Sequence, residues 1–163
     1  MSSSELLPHV PDNLPQLLEL YNESYLFAKK VGDIDWIYPF PQSLLGKYID
    51  QSQLFGVSFA VQKEVVSSVR LFDVPERLDT LFIGKLAVSR LLKGLNFTEQ
   101  VLLPEIVDEA QLREKTQISL TCLADNGSLL SFYQHLGFVI NDYRQARSDS
   151  FSPRQVAELY LEI

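Results

Sequence analysis

The sequence predicts an α+β domain built on a mixed, mostly antiparallel sheet with one parallel pair, flanked by about four helices. Three observations predict it. Helical and strand patterns alternate along the whole chain, with no repeat, low-complexity tract or linker between them. Residues 80–123 read as strand, loop, helix, strand, a connection that makes the two strands parallel and the crossover right-handed. The remaining strand patterns are joined by short polar breaks, which suit antiparallel neighbours. With 163 residues, the chain fits one domain over 1–163, long enough to bury about 70% of its unfolded surface without disulfide or metal support.

Each element has its own signal. Residues 6–10 are a short apolar opening. Asp12 or Asn13 can cap the helix that follows, and Pro15 is tolerated in its first turn. Leu14, Leu17, Leu18, Tyr21, Tyr25 and Ala28 recur at three- and four-residue intervals and make one apolar face; Gly32 ends the helix. A loop over 33–41 precedes a short helix over 42–50. Residues 54–62 and 65–72 read as an antiparallel pair across a tight turn at Lys63 and Glu64. The strand over 80–88 begins after a polar break. A helical pattern over 98–114 puts Leu102, Ile106, Ala110 and Arg113 on one side, with Pro104 inside it. Proline in a helix interior costs roughly 3 kcal/mol, so the helix either kinks there or starts near Leu103; the unbroken apolar period favours a kink. A strand over 117–123, a helix over 126–136 and strands over 138–143 and 156–162 complete the chain.

Charge and composition narrow the function. The net charge is −7 and no Lys/Arg cluster offsets it locally, which argues against nucleic-acid or anionic-membrane partners and suits a cationic substrate such as an amine. Cys122 is the single cysteine, so a disulfide framework and a cysteine zinc site are not expected. The first seven residues lack a basic, apolar signal pattern, and no stretch approaches the roughly 18 apolar residues of a membrane span. A cytoplasmic protein is the expectation.

Two segments carry a family resemblance. The first is Lys85-Leu86-Ala87-Val88-Ser89 running into Arg90-Leu91-Leu92-Lys93-Gly94-Leu95-Asn96-Phe97-Thr98. The second is Leu123-Ala124-Asp125-Asn126 followed by Phe132-Tyr133-Gln134-His135-Leu136-Gly137-Phe138. Together, and with the order of elements, they resemble the GNAT N-acetyltransferase superfamily. The second segment matches the family's asparagine, helical turn, aromatic-tyrosine pair and Gly-Phe. In the first, Lys93 stands where the family has Arg or Gln, and Asn96 and Thr98 stand where it prefers small residues. Asn accepts the left-handed region, whereas β-branched Thr does not. A left-handed Thr98 would carry ~1–3 kcal/mol of strain, a roughly five- to hundred-fold loss of affinity. Alternatively Thr98 keeps negative φ and caps the helix.

The resemblance implies transfer of an acetyl group from acetyl-CoA to a primary amine of a small molecule or peptide by direct attack. It implies that Lys93, Gly94, Leu95, Asn96, Phe97 and Thr98 hold the pyrophosphate. Leu86, Ala87 and Val88 would pair with pantetheine like an added strand, and Asn126 and Leu130 would line the same cofactor site. It implies Tyr133 as the acid that protonates the leaving thiolate; packing at helical spacing with Leu129, Phe132 and Leu136 is the competing role. Asn126 also reads as an N-cap. Asp33, Asp35, Trp36 and Tyr38 lie where the family builds its acceptor site, while Arg70 and Lys85 would suit an acidic acceptor. The general base stays open among Asp79, Glu64 and a water. Cys122 reads as a buried strand residue. No metal is implied, and a homodimer is compatible with the closing strands. The alternative reading is a GNAT-fold protein that binds CoA weakly or not at all and serves as a ligand-binding module. Transfer of a longer acyl group is also compatible.

Overall fold

The computed structural model describes residues 4–31, 37–59, 64–92, 94–145 and 155–163. Among them a seven-stranded sheet runs in the order β1-β2-β3-β4-β5-β7-β6. The strands are β1 (Ser4–Pro8), β2 (Leu54–Phe59), β3 (Ser67–Phe72), β4 (Thr80–Val88), β5 (Gln117–Leu123), β6 (Val139–Gln145) and β7 (Gln155–Glu162). Only β4 and β5 are parallel; every other neighbouring pair is antiparallel. This is the mixed sheet predicted, with the parallel pair at its centre.

Helices cover both faces because the sheet strands carry apolar residues on both. On one face lie α1 (Leu14–Val31) and α2 (Gln42–Asp50). Leu17, Leu20, Tyr21, Leu45, Tyr48 and Ile49 from these helices bury against Leu54 and Ala87 of the sheet. On the other face lie α3 (Leu103–Leu112) and α4 (Gly127–His135). There Ile106 and Ala110 of α3 pack on Val69, Leu71, Leu81, Ile83, Ile118 and Leu120. Leu81 and Ile83 of β4 serve one core and Ala87 the other, because an irregularity in the β4 ladder before Ala87 shifts the alternation by one residue.

Local chemistry explains the element ends, and corrects several boundaries. A 3₁₀ turn at Pro11–Asn13 precedes α1, and the Asn13 carboxamide accepts the Val10 N–H at 2.9 Å. The strand expected over 54–62 is described only to Phe59, and its partner begins at Ser67 rather than residue 65. The kink expected at Pro104 gives way to a different solution. Residues Thr98–Leu102 form a π-helical turn and the regular α-helix begins at Leu103, with Pro104 in its first turn. There the missing N–H has no obligatory intrahelical partner. The helix ends at Leu112, so Arg113 is its C-cap residue and not part of its apolar side. Asn126 caps α4 by accepting the Leu129 N–H at 3.1 Å.

Candidate active site

The centre of the sheet opens because its parallel pair stops early. β4 and β5 pair only over Thr80, Leu81 and Phe82 against Gln117, Ile118 and Ser119. Beyond that point each strand follows its other neighbour. β5 stays paired with β7 from Gln117 to Leu123, and β4 stays with β3 up to Val88. A bulge in β4 drives the parting. Lys85 and Leu86 together face Val69 alone, and Lys85 has φ of 47°. An extra residue of this kind bends its strand and increases the local twist.

The gap is a cavity of about 450 Å³ between the splayed strands. Residues Gly84, Lys85, Leu86, Ala87 and Val88 form one wall, and Leu120, Thr121, Cys122 and Leu123 the other. α1 contributes Ser24, Phe27 and Ala28, and α4 contributes Leu129, Phe132 and Tyr133. Its far end is lined by Leu92, Gly94, Asn96, Phe97, Thr98 and Glu99.

Backbone geometry at that end suits an anion. Gly94 and Asn96 both have positive φ, 85° and 53°, so the chain coils tightly before the helix. Asn is among the residues that accept that conformation most readily. The helical ladder opens with the Gln100 N–H donating to the Asn96 carbonyl at 2.9 Å. The amides of residues 97–99 precede that bond, and helical geometry offers them no acceptor in their own helix. They also carry the partial positive charge of the helix start. Thr98 lies inside the π-helical turn and is not left-handed. The strain considered for it does not arise.

Tyr133 projects from α4 into the same cavity. Its ring is half-buried and held edge-on by Phe132 at 5.4 Å and Phe138 at 5.7 Å between centroids. Burial pushes its phenol well above the ordinary tyrosine range, with a smaller push from Cys122. The group therefore holds its proton throughout the neutral range. His135 Nε2 lies 3.8 Å from the Glu99 carboxylate, which brings the end of α4 beside the helix start.

Eight of the residues anticipated from sequence line this space: Leu86, Ala87, Val88, Gly94, Asn96, Phe97, Thr98 and Tyr133. Leu95, Asn126 and Leu130 do not; the Asn126 carboxamide oxygen is engaged in the α4 cap. Asp33, Asp35, Trp36 and Lys93 lie outside the described residues. Tyr38 is exposed and stacks on Tyr25, with centroids 5.4 Å apart, away from the cavity lining. The α1 contribution escaped the sequence reading. Its only signal is that Ser24 and Ala28 sit one and two turns beyond Tyr21 on the helix, a spacing that packing alone also explains. Cys122 is buried as anticipated, and it also lines the cavity. Among the described residues no cluster of three or more His, Cys, Asp or Glu could hold a metal ion. No described helix is long and apolar enough to cross a membrane.

The architecture is shared with solved N-acetyltransferases. PaiA N-acetyltransferase from Thermoplasma acidophilum, solved in complex with coenzyme A, superposes with a TM-score of 0.72 at 14% identity, covering 99% of both chains. Spermidine N-acetyltransferase from Vibrio cholerae, solved with CoA and spermine, gives 0.69 at 18% identity, covering 98% of this chain and 95% of that one. Ribosomal-protein-alanine N-acetyltransferase from Brucella melitensis gives 0.69 at 13% identity, covering 97% and 99%. No protein-family model and no curated protein sequence matches the chain. The likeness is one of fold: this chain has the GNAT acyl-CoA N-acyltransferase fold.

Proposed function

We propose that the protein is an acetyl-CoA-dependent N-acetyltransferase acting on a primary amine of a small molecule or peptide, with residues 1–163 as one catalytic domain. The observation that carries this reading is the cleft between β4 and β5, which ends at the helix start ahead of Gln100. A long ligand with an anionic end fits such a space. Its pyrophosphate would rest against residues 94–98, at the helix start, where the helix dipole favours an anion. Its pantetheine amides would pair with the free edge of Leu86, Ala87 and Val88, as an added strand does. Two of the similar structures were solved with CoA, which agrees with that placement.

The chemistry required of the chain is modest. An amine of pKa about 10.4 needs about 4.6 kcal/mol to become neutral at pH 7, at 1.36 kcal/mol per unit. Holding both reactants in attack geometry supplies ~7–11 kcal/mol. Positioning thus outweighs the deprotonation cost, and a water-mediated base suffices. Tyr133, which lines the cleft and holds its proton at neutral pH, would protonate the departing thiolate.

Thermal unfolding with and without acetyl-CoA tests the binding half of the proposal. Ligand at a hundred times its dissociation constant adds ~2.7 kcal/mol, expected as a rise of a few degrees in Tm. No rise at millimolar acetyl-CoA would instead favour a binding module for another ligand. Thiol release in the presence of an amine panel tests the transfer.

A further inference from the structure

The β4 bulge is held by a side chain on the opposite face of the sheet. Tyr21 of α1 is fully buried, and its phenol oxygen lies 2.5 Å from the Lys85 carbonyl and 2.9 Å from Ser68 Oγ. A phenol has one proton and a carbonyl can only accept. The Tyr21 O–H therefore donates to Lys85, and the Ser68 hydroxyl donates to Tyr21. Ser68 is itself fully buried, so the relay from Ser68 through Tyr21 to Lys85 is sealed from water.

This contact orients the peptide that follows. A trans peptide is planar, with its carbonyl and its N–H pointing in opposite directions. With the Lys85 carbonyl turned toward α1, the Leu86 N–H turns toward the α4 side of the cleft. The ladder agrees: Ser68 pairs with Ala87 and Arg70 with Gly84, so Lys85 and Leu86 share the single position opposite Val69. Lys85 meanwhile occupies φ of 47°, a region that a residue with a Cβ adopts at a cost. Something must hold it there.

We infer that Tyr21 is a positioning residue, which locks the left-handed Lys85 so that the Leu86 N–H is presented to the reacting carbonyl in the cleft. The inference rests on the acyl-transfer reading for its chemical purpose, though not for its geometry. Preorganised donors aimed at developing oxyanion charge are worth roughly a hundred- to thousand-fold in rate. A donor that must reorient first loses part of that.

Tyr21→Phe is the direct test, because it keeps the ring that stacks on Phe40 at 4.9 Å and removes only the hydroxyl. A crystal structure of this variant without ligand is expected to show Lys85 shifted to negative φ and the Leu86 amide turned. Steady-state assays with acetyl-CoA and the best amine are expected to show kcat lowered roughly ten- to hundred-fold, with the KM for acetyl-CoA changed less than about three-fold. Ser68→Ala spares the ring and is expected to move the same readouts in the same direction by a smaller factor. It serves alone should the phenylalanine variant not fold. Unchanged Lys85 geometry, or wild-type kcat with only a lower Tm, would overturn the positioning role. If Lys85 moves but the wild-type protein releases no thiol with any amine, the lock stands and the transferase reading is what falls.

Discussion

Two buried side chains tie pH to this protein in opposite ways. The Tyr133 phenol is pushed above its ordinary range by burial, so it holds its proton across the whole neutral range, while the same shift makes it a weaker acid. Tyr133→Phe is expected to lower kcat by roughly a hundred-fold or more, while thermal stability changes little because the ring packing survives. A variant with full turnover would leave only the packing role. His9 behaves differently. Burial lowers its imidazole to about 4, against smaller upward pulls from backbone hydrogen bonds at Ser67 and Phe55. Its Nε2 is buried without a hydrogen-bond partner among the described residues. Between pH 6.5 and about 4 the unfolded chain binds a proton at His9 that the folded chain refuses, so stability falls on acidification through that window. The gap is worth at most about 3 kcal/mol at 1.36 kcal/mol per pH unit. Urea titrations at pH 7 and pH 5 should show the loss, and His9→Asn should flatten it.

At the scale of elements, the short helix α4 deserves a stability test, because it has no fully buried residue yet carries Tyr133. Its start depends on Asn126, whose carboxamide accepts the Leu129 N–H. Asn126→Ala is expected to cost ~1 kcal/mol, read as a fall of a few degrees in Tm. Because the cap orients α4, kcat should fall with it while acetyl-CoA still raises the Tm. The helix that begins beyond Asn96 shows how an element accommodates a residue unsuited to it. Propensity arguments place Pro104 as a break and period arguments place it as a kink. The π-helical turn satisfies both, since the wider coil carries the chain to a point where proline stands in a first turn. Sequence patterns with a period of 3.6 do not register such a turn.

Across the whole molecule, the closing strands are tied to the parallel pair by one carboxylate. Glu158 on β7 is buried, accepts hydrogen bonds from Arg77 before β4 and Arg144 on β6, and lies beside Ser119 of β5. Burial alone would raise its carboxyl; the hydrogen bonds and charges of the two arginines outweigh that and hold it below the ordinary range. Glu158→Gln leaves both guanidinium groups facing a neutral partner, and a loss of about 2–3 kcal/mol is expected in chemical denaturation at pH 7. The same group stabilises the fold above pH 4.5 and ceases to as pH falls through its lowered folded value. Its loss begins near pH 4.5, below most of the window in which the His9 contribution is lost. These ties keep β5 with β7 and leave β4 to part from it.

The alternation of periods and the strand-helix-strand unit were enough, read as sequence, to determine the mixed sheet and its parallel pair, while the cleft wall at Leu86, Ala87 and Val88 was anticipated only through the family resemblance. Local propensity and spacing are encoded residue by residue, so these were legible. The bulge at Lys85, the contribution of α1 and the role of Tyr21 were not. Each depends on which residues from distant segments meet across the sheet, as when position 21 finds the carbonyl of position 85. In the sequence Tyr21 is one apolar residue among six at helical spacing. Only the packing of α1 on β3 and β4 makes its hydroxyl the contact that sets the shape of the cleft.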